Sequence, residues 1–307
     1  MNMTTKNSFY AFAALAALTL AGCNNDEDFV RQDDLKDTPI TVHAAVAELT
    51  SRAGYEGTTS LPDKFYLSID QDGEKYDYTN VLMNNVDGAW TAYESDGETE
   101  KQLLWAGGSV KVTAATFSLI GAQTLKAQTD QSMEDKLKAS DHLYMAETKK
   151  SADIDGINVE LSHIMSKIEL TITLGDEFAS DENPISGVTF TGTVVSRKFD
   201  YTSEPKWSDL SDATTADITA FESTYDKEKI SATYEVILVP QEVAEGTFAV
   251  SFRVRDREFK WTSSDAVTLT GGTKYTLALN AGKDKVSSAS FTAGNWTDDT
   301  NTSTGTY

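Results

Sequence analysis

The chain's reactive side chains are one thiol, three imidazoles and a surplus of carboxylates. His43, His142 and His163 stand far apart. None is at metal-ligand spacing from another ligand type, and with Cys23 as the only cysteine no thiolate cluster can form, so no metal site is expected. His163 lies between two apolar runs and reads as a structural residue. No Gly-x-Ser-x-Gly elbow, phosphate loop or dinucleotide fingerprint occurs. A glycosidase needs only two carboxylates, but the sequence singles out no pair among 48 acidic residues. Asp70, Asp72 and Gly73 start like a calcium loop, yet the closing glutamate is missing, and a solvated hairpin is the better reading. Trp90, Trp105, Trp207, Trp261 and Trp296 are of the type that stacks on sugars, although sheet packing is the ordinary use of such rings. The chain thus reads as a non-enzyme, with no catalytic residue and no cofactor.

The thiol has a different chemistry. Cys23 ends the run Leu20-Ala21-Gly22-Cys23, preceded by Lys6 and an apolar or small stretch from Phe9 to Leu20. A positive charge, a short apolar core and small residues at a cut site make a secretory signal peptide. At ~1.5 Å per residue the core covers about 18 Å, too short for a ~30 Å hydrocarbon layer. The order Leu-Ala-Gly-Cys resembles the bacterial lipobox, which predicts a signal peptide over 1–22 and lipidation of Cys23. Acyl chains would then hold the protein to the outer membrane, each buried CH₂ contributing ~0.8 kcal/mol. The polar, acidic run Asn24 to Asp28 opens a tether over 23–38. It resembles the surface-export signal of Bacteroidetes lipoproteins, and serves equally as a plain solvated spacer.

Against those 48 acidic residues stand 26 basic ones, a formal charge of −22. A field of that sign repels nucleic acid and anionic membrane surfaces. The hydrophobic share of 39% is enough for a folded body.

The body that these residues sit on reads as strands. Phe65, Leu67 and Ile69 alternate with polar neighbours, as do Val110, Val112 and Ala114; Ile168 to Leu174; Val188, Phe190 and Val194; Phe248 to Val254; and Tyr275, Leu277 and Leu279. A period of two puts one face in a core and the other in water, the pattern of antiparallel sandwiches. Val236 to Val239 is apolar on both faces, as in a covered central strand that Pro240 ends. Asp72-Gly73, Asp87-Gly88, Asp96-Gly97, Asp155-Gly156 and Gly271-Gly272 are turn signals. Ser132 to Ala139 is the one helical candidate, with Met133 and Leu137 on one side. The absence of βαβ alternation argues against a parallel sheet. The reading is an N-terminal β-sandwich over 39–155 and a C-terminal one over 156–307. The strand pair Ile157 to Leu161 and Ile168 to Leu174 opens the second, or alternatively closes the first.

Four segments carry a family resemblance: Leu161-Ser162-His163-Ile164-Met165-Ser166-Lys167-Ile168; Leu103-Leu104-Trp105 followed by Val110 to Ala114; Asp141 to Ala146; and Gly271 to Leu277. With the lipobox, their order resembles the fimbrillin family of Bacteroidales. The chain departs from the family in lacking a proline after Thr113 to Phe117, which bears on the subfamily. The resemblance implies two transthyretin-like β-sandwiches, export as a lipoprotein, and assembly with other pilin subunits into a fimbria that supports adhesion. A trypsin-like arginine-specific protease removes the first strand, and a strand from another subunit fills the groove. In this chain Ile40, Val42, Ala44 and Val46 alternate along such a first strand, and Arg52, followed by Ala53 and Gly54, is the expected cut site; Arg31 in the tether competes. The C-terminal tail, with Val286, Phe291 and Trp296, is either the donor strand or the last strand of the chain's own second sandwich. A non-polymerising surface lipoprotein that binds glycans through its tryptophans is the rival reading.

Overall fold

The computed structural model describes residues 35–46, 61–94, 96–283 and 285–296; Cys23, Arg31 and Arg52 lie outside them. The first half of the chain gives β1 (Val42–Val46), β2 (Lys64–Asp70), β3 (Tyr78–Val86), β4 (Ala89–Tyr93), β5 (Ser109–Ala115), β6 (Gln123–Lys126), the short helix α1 (Glu134–Lys138), β7 (Leu143–Ser151) and β8 (Ile157–His163). All but β6 join one seven-stranded sheet in the order β1-β8-β7-β5-β2-β3-β4. The alternating residues of β2 and β5 point into its core as their period dictates, where Val42, Val46, Trp105 and Val159 meet them. Asp87 and Gly88, at φ 53 and 87, make the tight β3–β4 turn, the primed geometry that matches strand twist.

The second half gives β9 (Ser166–Leu174), β10 (Ile185–Thr191), β11 (Val194–Phe199), β12 (Thr214–Thr215), β13 (Ile218–Thr219), β14 (Phe221–Asp226), β15 (Ser231–Leu238), β16 (Gln241–Val243), β17 (Ala249–Val254), β18 (Arg257–Thr262), β19 (Val267–Leu269), β20 (Thr273–Ala281) and β21 (Val286–Asn295). A five-stranded sheet, β14-β15-β9-β20-β21, and a four-stranded one, β13-β10-β17-β18, share a core that includes Ile168, Leu170, Phe190, Val250 and Leu277. The fold is all-β, two sandwich halves. β15 is the covered central strand, and its ladder stops at Leu238, ahead of Pro240.

Several expectations change. Ile157–His163 and Ser166–Leu174 do not pair with each other: β8 lies between β1 and β7, while β9 lies between β15 and β20. The chain therefore passes from one sheet to the other at Ile164–Met165. In the opposite sense, β6 pairs with β11, and Ala127 and Leu137 enter the second core. Two strand pairs are parallel, β1 with β8 and β9 with β20; both join strands distant in sequence, which no hairpin signal announces. Val194 starts β11 instead of continuing β10, because Gly192 at φ 85 turns the chain. Met133 precedes α1 and is 55% exposed, so only Leu137 anchors the helix.

Buried glutamines complete the ladders. β14 stops at Phe221, opposite Glu235. Beyond it Gln131 takes over, its Nε2 donating to the Ile237 carbonyl at 2.7 Å and its Oε1 accepting from the Ile237 N–H at 2.8 Å. Gln71 likewise donates to the Tyr76 and Leu104 carbonyls and accepts from the Ala106 N–H. Gln241 brackets the N–H and carbonyl of Val194. Each satisfies buried backbone groups that would otherwise cost free energy.

Candidate functional site

The two ends of the described chain each supply an edge strand. β1 forms one edge of the seven-stranded sheet, in parallel register with β8 from Val42 opposite Ile157 to Val46 opposite Leu161. Its alternation decides its orientation: Val42 and Val46 are buried, Ile40 and Ala44 pack partly against the same core, and Thr41 and His43 face out. Burying such a valine is worth about 1.5–3 kcal/mol, so the strand is a real part of the core.

The approach to β1 is laced to the body by backbone hydrogen bonds. The N–H of Asp37 donates to the Trp105 carbonyl at 2.9 Å, that of Trp105 to Thr38 at 3.0 Å, and that of Ile40 to Leu103 at 2.9 Å. The exposed Asp37 carboxylate accepts from Lys75 at 2.6 Å and from the Tyr76 hydroxyl at 2.9 Å. Those two bonds, the Lys75 one foremost, hold it below the usual carboxylate range.

The seat of β1 is closed at one end by the turn Asp155-Gly156. Ile157 N–H donates to the Thr41 carbonyl at 2.8 Å, and His43 Nε2 lies 3.0 Å from the Asp155 carbonyl oxygen. Gly156 sits at φ +95, and a Cβ there would come within 2.1 Å of Thr41 O. Only glycine lets the β1 backbone approach so closely. The dipeptide was legible as a turn signal; its contact with β1 was not.

At the other end, β21 is the outer strand of the five-stranded sheet, antiparallel to β20. Phe291 stacks on Tyr275 at 5.7 Å between centroids, and Trp296 on His163 at 4.3 Å. The tail thus completes its own sheet here, one of the two arrangements its pattern allows. Val286, Phe291 and Trp296 all pack against the second core. His163 Nδ1 lies 2.8 Å from Asp141 Oδ1 in the interior; the sequence marks Asp141 only as the start of a family-like segment and gives no sign of this pairing.

The tryptophans pack into the protein to different depths. Trp105 is buried, and Trp90, Trp207 and Trp261 are half-buried, Trp207 edge-on to Phe199 at 5.0 Å and Trp261 edge-on to Phe248 at 6.2 Å. Among the described residues no group of three or more His, Cys, Asp or Glu is placed to hold a metal ion, and no helix is long and apolar enough to cross a membrane. The arrangement can do mechanical chemistry: the first and last described strands, β1 and β21, both lie at sheet edges, and β1 is met by a glycine stop.

A family model described as fimbrillin-like matches residues 51–296. Among solved structures, a candidate cell adhesion protein of Bacteroides ovatus is similar with a TM-score of 0.64 at 16% identity, covering 83% of this chain and 97% of that one. A second candidate cell adhesion protein, from Bacteroides uniformis, gives 0.57 at 18%, covering 84% and 98%. A fimbrial protein of Bacteroides vulgatus gives 0.50 at 11%, covering 84% and 99%. At these identities the likeness is one of fold. No curated protein matches the chain.

Proposed function

The chain belongs to the fimbrillin-like family, whose model spans residues 51–296, and from that premise we propose that it is a non-enzymatic structural subunit of a cell-surface pilus, assembled by protease-triggered strand exchange. Membership supports the adhesive, surface role. The finer reading rests on one observation above others: β1 is an edge strand, paired on one side only and seated in the core by Val42 and Val46, and Arg52 follows shortly after its end in the sequence.

In this reading Cys23 carries the lipid that holds the precursor at the outer membrane, ahead of a tether that ends before Leu35 and of two sandwich halves that divide at Ile164–Met165 instead of 155/156, because Ile157–His163 is a strand of the first sheet. An arginine-specific protease cuts after Arg52, freeing β1. The exposed side of β8 then offers a row of unpaired N–H and C=O groups above apolar pockets, the setting for β-augmentation by a neighbouring subunit. Val286, Phe291 and Trp296 mark the segment that would serve as donor.

Limited digestion with an arginine-specific protease tests this. A single new N-terminus at Ala53, accompanied by a ladder of oligomers on native gels, is the expected result. A cut chain that stays monomeric sinks strand exchange, and a cut after Arg31 alone moves the processing site.

A further inference from the structure

Anchoring along the C-terminal strand is uneven. From Val286 to Gly294 no described side chain is buried; Val286 and Phe291 are half-buried and the others face solvent. The strand's backbone pairs with β20 on one side, at the edge of its sheet. Immediately beyond it, Trp296 is 2% exposed. Its ring lies on His163 with only 11° between planes, and the Trp296 backbone N–H donates to the Gly272 carbonyl at 3.3 Å. His163 is held in turn by Asp141, with both side chains at the floor of exposure.

His163 is the last residue of β8, so the ring beneath Trp296 belongs to the first sheet, whereas β21 belongs to the five-stranded one. Among the described residues the indole Nε1 and the imidazole Nε2 find no hydrogen-bond partner. The side chain's seat is therefore made by ring stacking and burial, interactions that demand no directional bond and vanish together once the ring moves. A strand whose own side chains offer only the half-buried Val286 and Phe291 to the core leans on that seat.

We propose that Trp296 is the latch of the C-terminal strand: seated on the His163–Asp141 pair it keeps β21 on its own sheet, and once unseated it lets Val286–Asn295 leave as a unit. The latch deepens the pilus reading, in which a freed β21 supplies the donor, and it gives the His–Asp pair a receptor's role.

Hydrogen exchange on the purified, unprocessed chain tests the latch without requiring any polymer. In Trp296→Ala, the β21 amides that pair with β20 should exchange at least tenfold faster, while those of β9 and β15 keep their rates. Unchanged β21 rates overturn the proposal; so does an acceleration shared equally by β9 and β15, which would mean general loosening. If the alanine variant does not fold, Trp296→Phe gives the same reading through a smaller acceleration confined to β21. Because the measurement uses the monomer, it can fail while the digestion experiment succeeds, and the reverse.

Discussion

Lys167 Nζ lies 2.8 Å from Glu235 Oε2, with the two side chains 0% and 2% exposed. The pair joins the neighbouring strands β9 and β15 inside the second half. Burying two charges costs more than their attraction returns unless geometry is good, and removing one partner strands the other. Lys167→Met or Glu235→Leu alone should lower unfolding free energy by about 3–5 kcal/mol. The two together should recover most of that loss. Urea midpoints of the singles and the double check it; a double variant as weak as the sum of the singles would contradict charge compensation.

Gly156→Ala should loosen the seat of β1. The substitution forces a side chain into φ +95 and against Thr41 O. A residue strained in this way costs about 1–3 kcal/mol, before any clash is counted. Thermal unfolding should show the loss, and proteolysis should strip β1 sooner. Resistance equal to the parent chain would mean that the turn does not hold β1.

Gln131→Ala should uncap the Ile237 N–H and carbonyl, which the glutamine meets at 2.8 and 2.7 Å. Each buried polar group left unmet costs about 1–3 kcal/mol. Gln131→Leu, close in volume, should be nearly as damaging, because the loss is of hydrogen bonds. If leucine restores parental stability, packing and not ladder completion is what Gln131 contributes.

His142 gives a pH dependence. Desolvation is the main influence on this half-buried ring and lowers its pKa, against the opposing effects of the Lys126 carbonyl and Asp141. The folded state thus binds a proton less readily than the unfolded chain, whose imidazole titrates near ~6.5. Stability should hold above that value and fall as pH drops from it towards the folded pKa. His142→Gln should flatten this part of a stability–pH curve; an identical slope in the variant would assign the effect elsewhere.

Much of the fold was legible because one face of most strands is buried, and a period of two writes that into the sequence. Phe65, Leu67 and Ile69 on β2 are the clearest case, and Pro240 marked the end of β15. What was not legible is partnership at a distance. Nothing local distinguishes β8 from β9 as members of different sheets, because both are apolar runs and the crossing at Ile164–Met165 resembles any tight connection. Gln131 and Gln241 look like loop residues until the backbone groups they serve are known. Of the candidate site, β1 could be read from Ile40, Val42, Ala44 and Val46, and the tail from Phe291 and Trp296. The Gly156 stop and the Asp141–His163–Trp296 stack could not, since each joins residues that meet only in the folded chain.

The parallel pairing of β1 with β8 also fixes a direction. A strand that takes that seat with the same polarity must enter with its N-terminus beside Ile157 and its C-terminus beside Leu161. If that strand comes from another copy, giver and receiver use different surfaces, so the contact has no two-fold axis. Such head-to-tail contacts propagate instead of pairing off, and they build an open filament unless the rotation happens to close a ring. One end of that filament would carry an unfilled groove and the other an unspent strand, so the assembly would have a chemical arrow along its length.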